Sequence, residues 1–600
     1  MYTMTSKTTS YRTHSCNDTT IINIDNNITL CGWVHSRRDH GGLIFIDLRD
    51  RYGLTQIVFD PEHNKDTHKN AEHLRSEWVI QVTGKVRKRP EGQTNKNLNT
   101  GEIEILVDTL VIHNESKTLP FEIDEHAAIP NEELRLEYRY LDLRRKKMLN
   151  NLMLRHKMVS WTRSYFEKED FIDVETPMMV KGTPEGSREY IIPSRVHPGE
   201  FYVLPQSPQQ MKQLLMLAGF DKYFQLARCF RDEDLRGDRQ PEFTQLDVEM
   251  SFVGMEDVMT IFENWAKGIS ETLAPQKKIR HQTFPRLKYM DAINMYGTDK
   301  PDIRYDLTIQ DADEVFKGSG INFMENVLNS GGVIKALRVP NGSDLPRSQI
   351  DSYIELVQSQ GAGGMAYMIF DKETGELKGT LAKFFEGEKA TRAKEQLGAE
   401  KGDIVFFMAD KWEKACTYLG VLRTELGNYY KLKDNETLAW LWITDFPLFE
   451  KGDDGTIGAV HHPFTRPNAE DMHLLESEET KLQALSETYD IVLNGYEMGG
   501  GSVRIHEQEL QKKVFALLNI SEKDQERRFG HILKAFQYGV PPHAGIAIGF
   551  DRLAMIFADE SNIREVTAFP KTQKARDLMF GSPTALPETT LKEAHINIRN

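Results

Sequence analysis

The chain has 600 residues, a formal net charge of −15, 39% hydrophobic and 28% charged side chains, and four cysteines far apart in the sequence. At roughly 150 residues per domain this is a globular protein of about four domains, with material for a large core. Cys16, Cys31, Cys229 and Cys416 offer neither a CxxC zinc site nor a disulfide framework, no run of ~18 apolar residues could span a membrane, and the acidity argues against indiscriminate nucleic-acid binding.

The first residues, MYTMTSKTTSYRTHS, have no apolar segment of a secretory leader, although a Ser/Thr-rich, acid-poor start leaves a short organellar transit segment open. The expected setting is cytoplasmic and reducing. From Ile28 to Ile112, short alternating segments (ITLCGWVHSRR, LIFIDLRD, LTQIVFD, VIQVTGKVRKR, EIEILVDTLVI) are separated by Gly, Asn and Asp turns. Five such strands predict an OB-fold barrel over 1–120. This part carries 15 cationic and 15 anionic side chains, so the whole acidic excess lies beyond it, and its cations cluster in HSRRDH and KVRKRP. A locally basic barrel in an acidic chain can still hold a phosphate backbone. Phe45 and Gln56 fall on adjacent strands beside Arg37 and Arg38, where an aromatic ring could stack on a base.

Residues 121–145 read as a hinge. An amphipathic helix from 146, then FIDVETP ending at Pro177, follows. The stretch 226–252, LARCFRDEDLRGDRQPEFTQLDVEMSF, predicts two strands around a charged loop. Phe243, Gln245, Asp247, Glu249 and Ser251 alternate with Thr244, Leu246, Val248, Met250 and Phe252, one face for the core and one polar face without a structural reason to exist. Arg231 beside that face, with Glu233, Arg236 and Arg239 in the loop, lets a charged ligand bridge cations and carboxylates.

Between 299 and 432 a further α+β mixture, including GGMAYMIF and GDIVFFMAD, separates 146–298 from 433–566 without a catalytic constellation of its own; 567–600 is a C-terminal extension. Adjacent His461 and His462 would point oppositely in a strand and could not chelate one metal, so no zinc is expected. Gly499, Gly500 and Gly501 precede Arg504 and predict a bare surface for a ligand. AGIAIGFDRL, 544–553, reads as a strand entering a helix, with Arg552 at the junction.

Taken together and in this order, 146–177, 226–252 and 544–553 resemble motifs 1, 2 and 3 of the class II aminoacyl-tRNA synthetases. FRDEDLRGDRQPEFTQLDVE is close to the wording of bacterial-type aspartyl-tRNA synthetases. The resemblance implies a multidomain fold: an N-terminal OB barrel, an antiparallel class II sheet with helices, and an α+β insertion domain at 299–432. It implies aspartate activation with ATP and Mg²⁺, transfer to tRNA(Asp), and a homodimer. The signatures HIGH and KMSKS of class I enzymes, Walker A and GxGxxG are all absent.

For aspartate, the family pattern implies Lys212 and Arg504 at the side-chain carboxylate and Glu185, in the lid-like TPEGSREY, with Asp247 at the ammonium. Ser207, Gln209, Gln245, His461 and Arg231 would complete that pocket. For ATP it implies Arg231, Asp232, Glu233, Gln240, Phe243, Glu497, Gly549, Phe550, Asp551 and Arg552, with Asp490 and Glu497 as the Mg²⁺ carboxylates. Arg38, Phe45 and Gln56 would meet the anticodon. His40 and Gly92 match relatives that also charge tRNA(Asn), which makes tRNA(Asn) a second expected acceptor; Ser36 departs from the arginine frequent at its place. The alternatives are a strictly tRNA(Asp)-specific enzyme, an asparaginyl enzyme, and a catalytically silent RNA-binding protein.

Overall fold

A computed structural model describes residues 7–182, 187–452 and 454–599, in two units divided after Pro130. In the first, β1 (Asn27–His40), β2 (Leu43–Asp50), β3 (Gly53–Phe59), β4 (Val79–Lys88) and β5 (Ile103–Asn114) close a barrel in the order β1-β2-β3-β5-β4. Period-two alternation sends Ile44, Ile46 and Leu48 into the barrel core, and Phe45, Asp47 and Arg49 to its outer face. Phe45 is therefore not a core residue.

The second unit starts inside the segment read as a hinge. Residues 131–145 hold two short helices, Glu132–Glu137 and Arg139–Asp142, around the fully buried Asp142. Its carboxylate accepts from Arg135, Arg139 and Arg145, and Arg135 also pairs with Glu565. A buried carboxylate needs such partners to stay ionised.

Next come α1 (Lys146–Lys168), β6 (Ile172–Asp173), α2 (Gln209–Leu217), β7 (Lys222–Phe230), β8 (Glu242–Ser251), α3 (Met255–Leu273), β9 (Arg286–Lys288) and α4 (Tyr289–Tyr296). The 299–432 region contributes β10 (Ile309–Asp311), β11 (Val333–Val339), β12 (Ala366–Phe370), β13 (Leu377–Lys378), β14 (Ile404–Asp410) and α5 (Trp412–Tyr429). These strands form a separate sheet, β10-β11-β14-β12-β13, with apolar clusters on both faces. After it, β15 (Trp440–Thr444), β16 (Thr488–Leu493), β17 (Tyr496–Val503), β18 (His543–Gly549) and α6 (Phe550–Phe557) complete the main sheet, β9-β15-β16-β17-β18-β8-β7-β6. Its two outermost pairs, β9–β15 and β6–β7, are parallel and the others antiparallel.

Leu246, Val248 and Met250 of β8 face a core with α3, whose Val258, Phe262, Trp265 and Ile269 recur at helical spacing. The opposite face of β8, β17 and β18 carries the site. One expectation fails: Phe252 lies beyond the end of β8, in the left-handed region at φ 58°, and is 72% exposed, so the core alternation stops at Met250.

Candidate active site

A cavity of about 850 Å³ opens on the polar face of β8, β17 and β18. Beneath it, Arg504 is clamped to Glu249, Nε to Oε1 at 2.9 Å and Nη2 to Oε2 at 3.0 Å, while Nη1 donates to Ser502 Oγ at 2.6 Å and His462 Nε2 at 2.7 Å. Lys212 Nζ reaches Asp247 Oδ1 at 3.2 Å and Glu249 Oε2 at 3.4 Å. Lys212, Asp247, Glu249 and Arg504 are each at most 2% exposed. Lys212 is thus no solvated helix lysine. The sequence expectation needs one correction: Lys212 and Arg504 sit behind the cavity lining, already opposed by two carboxylates, so the four side chains sum to zero charge and do not present two free cations.

Burial would push the Glu249 carboxyl up, but Arg504 and Lys212 hold it down at about 2, from an ordinary 4.5. A carboxyl lowered on folding stabilises the fold above its unfolded value and loses that contribution as pH falls. Glu249 should therefore support stability above about pH 4.5 and lose some 3 kcal/mol between pH 4.5 and 2. Acid-unfolding curves of Glu249→Gln should be flatter than wild type in that window; parallel curves would overturn the assignment. Asp247, raised by burial despite Lys212, runs the other way, which is why the comparison is between variants.

Of the residues expected at ATP, Arg231, Glu233, Gln240, Phe243, Glu497, Gly549, Asp551 and Arg552 all border the cavity. The Arg231 guanidinium stands over the Phe243 ring at 5.2 Å. Arg552 pairs with Asp238 at 3.1 Å and donates to the Glu497 carbonyl. Gln240 is tied to the Lys571 backbone in both directions, at 2.8 and 3.1 Å. Three expectations change here. Phe550 is fully buried in the core beneath α6. Asp232 and Arg236 are exposed and outside the lining, Asp232 facing Arg188. Asp551 spends its carboxylate internally, accepting the Thr244 N–H at 2.8 Å and pairing with Arg155 of α1, which joins the three motif segments.

His461 and His462 lie in an irregular segment, not a strand, and both line the cavity. His461 Nε2 is 3.3 Å from Asp490 Oδ1. Burial opposes the imidazolium, but Asp490 outweighs it and raises the His461 pKa. His462, buried beside Arg504, is pushed well down and stays neutral, an acceptor for the guanidinium. Asp490 is raised by burial, then by Glu497 and Asp299, against the pull of His461. The glycine run also has a different cause than expected: a Cβ at Gly499 or Gly501 would come within 2.3 Å of the β18 backbone, and one at Gly500 within 2.4 Å of Asp490. Only Gly499 and Gly500 border the cavity.

Buried polar atoms without a hydrogen-bond partner gather on this cavity: Gln209 Nε2, Arg231 Nε, Asp247 Oδ2, His461 Nδ1 and Arg552 Nε. Protein interiors rarely leave such atoms unsatisfied, and a polar ligand in the cavity would supply their partners. Ser207 and Gln245 also line it, the latter accepting from Cys229 Sγ at 3.2 Å. Glu185 lies outside the described residues. Glu249, His462, Asp238, Tyr289 and Asp299 were not singled out as site residues; only Glu249 carried a signal, the period-two face of β8.

On the barrel, Arg38 pairs with Asp47 at 3.0 Å and reaches Gln56 Oε1 at 3.5 Å; Gln56 in turn donates to Glu104 at 2.9 Å, which holds Arg87 at 2.8 Å. Ser36 also bonds Asp47 at 2.5 Å, and Phe45 stands next to Arg38 in register. His40 is exposed at the end of β1, and Gly92 is exposed with φ 82° in the β4–β5 loop.

Residues 131–573 match the family model described as tRNA synthetases class II (D, K and N), and 28–112 match that of the OB-fold nucleic acid binding domain. A relative from Rubrobacter xylanophilus named Aspartate--tRNA(Asp/Asn) ligase is 47% identical over 592 residues, 98% of each chain. One of the same name from Methylacidiphilum infernorum is 48% identical, covering 98% of this chain and 97% of its own. The Aspartate--tRNA ligase of Bacillus licheniformis is 46% identical over 98% and 99%. Among solved structures, asparaginyl-tRNA synthetase from Pyrococcus horikoshii complexed with asparaginyl-adenylate aligns with a TM-score of 0.57 at 17% identity, over 93% and 98% of the two chains. Aspartyl tRNA synthetase from Entamoeba histolytica gives 0.55 at 17%, over 92% and 89%. At such identities these two show the fold.

Proposed function

The chain belongs to the class II (D, K and N) tRNA synthetases, and from that premise we propose that it is an aspartate–tRNA ligase serving tRNA(Asp) and tRNA(Asn). The observation that carries the amino-acid choice is the clamp beneath the cavity. Giving the unpartnered Asp247 Oδ2 to the ligand's α-ammonium leaves Lys212 and Arg504 against Glu249 alone, one positive charge in excess for the side-chain carboxylate. Asparagine would leave that charge unmatched.

ATP then lies along β8 and β18, with adenine on Phe243 and phosphates at Arg231 and Arg552. The α-carboxylate attacks the α-phosphorus, pyrophosphate leaves, and aspartyl-adenylate forms. The terminal ribose hydroxyl of the tRNA attacks the activated carbonyl and releases AMP. Positioning and charge neutralisation carry such transfers, and no protein base is assigned. Asp490 and Glu497 face the cavity as two carboxylates, a donor set that suits Mg²⁺, which keeps several waters and would neutralise phosphate charge there.

The half-exposed Phe45 beside Arg38 supports base stacking on the barrel's outer face. Phe45→Ala should cost about 1–3 kcal/mol of tRNA binding, seen as a raised KM for tRNA with aspartate-dependent pyrophosphate exchange unchanged. Equal loss of both would make the residue structural.

A homodimer is supported by exposed apolar side chains, among them Ile172 on the edge strand β6 and Met179, Ile191 and Phe201. Among the described residues no helix is long and apolar enough to cross a membrane.

The test is side-by-side charging of tRNA(Asp) and tRNA(Asn) transcripts with aspartate, ATP and Mg²⁺. Charging of both bears out the reading. Charging of tRNA(Asp) alone would support the narrower enzyme, which the name of the Bacillus licheniformis relative favours. Absence of aspartate-dependent exchange would overturn ligase activity itself.

A further inference from the structure

The sequence of 299–432 shows no catalytic constellation, yet the last helix of this region is fastened to an element that lines the cavity. Helix α4 begins at Tyr289, and Asp299 follows shortly after its end; both border the cavity. The C-terminus of α4 meets α5 backbone to backbone. Gly297, at φ 68°, has no room for a Cβ, which would fall 2.2 Å from the Cys416 carbonyl, and a Cβ on Gly420 would fall 2.8 Å from the carbonyls of Gly297 and Tyr296.

One turn along α5, Arg423 lies 4.8 Å from the Tyr296 ring and 4.1 Å from that of Tyr305. It also donates to the carbonyls of Asp302, Tyr305 and Leu307, which pins the chain just beyond Asp299. On α4, Asn294 accepts from Trp412 Nε1 at 3.1 Å and from the buried Lys335 of β11. The cavity end of α4 continues the contact: the Tyr289 ring packs on Phe446 at 5.0 Å, and Phe446 meets the His461 ring edge-on at 4.9 Å. His461 in turn holds Asp490.

We propose that the insertion is a positioning element for the active site: by clamping α4 through Gly297, Gly420 and Arg423, it fixes Asp299 and Tyr289 in the cavity wall and, through Phe446, the ring of His461. Asp299 is then a positioning residue in the cavity wall that Asp490 also lines. A packed wall of this kind passes on a backbone displacement, because close-packed side chains cannot absorb it locally. This rests on the cavity being the aspartate and ATP site.

The experiment is a double-mutant cycle in the full-length enzyme, read as aspartate-dependent pyrophosphate exchange. Gly420→Ala inserts a methyl between the two backbones, and Asp299→Asn removes the charge at the cavity end. Each alone should lower kcat/KM for aspartate by about twofold to thirtyfold, the range of side-chain changes along contact networks. The double variant should lose less than the product of the two, since both act through the same wall. If Gly420→Ala fails to fold, Arg423→Met replaces it, keeping the stem and removing the donors. Effects that multiply, or clamp variants with wild-type kinetics, would overturn the inference. Lack of exchange in the wild-type enzyme would instead overturn the ligase reading.

Discussion

Arg504→Leu should lower kcat/KM for aspartate by the equivalent of about 2–5 kcal/mol and also destabilise the protein, because the guanidinium proposed to meet the substrate is also part of the buried clamp. The substitution strands Glu249, fully buried, with Lys212 at 3.4 Å as its remaining ion-pair partner among the described residues. Breaking one side of a buried ion pair costs about 3–5 kcal/mol, more than most single changes in a core. The two effects separate in a second variant. Arg504→Leu with Glu249→Leu removes the orphaned charge and should regain much of the thermal stability, because a packed apolar pair can stand in for a buried ion pair. It should not regain exchange. Calorimetry and exchange on both variants decide the matter, and recovery of activity together with stability would show that Arg504 is only a strut.

Arg552→Ala should show the opposite division, a fall in exchange of about 10²–10³ with almost no loss of stability. Its ion-pair partner Asp238 has 28% of its side chain exposed and can be solvated when the pair is lost, a change worth roughly 1 kcal/mol or less. What the variant loses is a charge at the mouth of α6, with its Nε buried and unpartnered, aimed where phosphates are proposed to lie. The defect should appear in kcat and in the KM for ATP, while aspartate binding by calorimetry stays normal. A folded Arg552→Ala enzyme with near-normal exchange would dismiss the phosphate role.

Much of this architecture is legible in the chain because its determinants are local. The barrel follows from alternating apolar residues with turn residues between them, and the polar face of β8 from Phe243, Gln245, Asp247 and Glu249 at every second position. Arg552 was legible from its place at a strand-to-helix junction. Phe550 departs from what the resemblance implies for that junction as one unit, because a helix start sends successive side chains in different directions. Phe550 enters the core, Asp551 borders the cavity while tying Thr244 to Arg155, and Arg552 reaches the cavity.

By itself the sequence determined the class of fold, the order of the three motif segments and many of the residue types lining the cavity, since these depend on periodicity, turn chemistry and composition within short windows. The tertiary structure alone decided charge and support. Glu249 and Arg504 are 255 positions apart, and only the pairing of β17 and β8 with β18 between them makes the clamp that neutralises the floor. The contact of Gly297 with Gly420 is equally invisible in the chain, because a glycine needed for close backbone approach has no local signature when its partner is far away in sequence. Burial, ion pairing and helix docking depend on what a side chain meets after long-range closure, and that is the information a linear pattern does not contain.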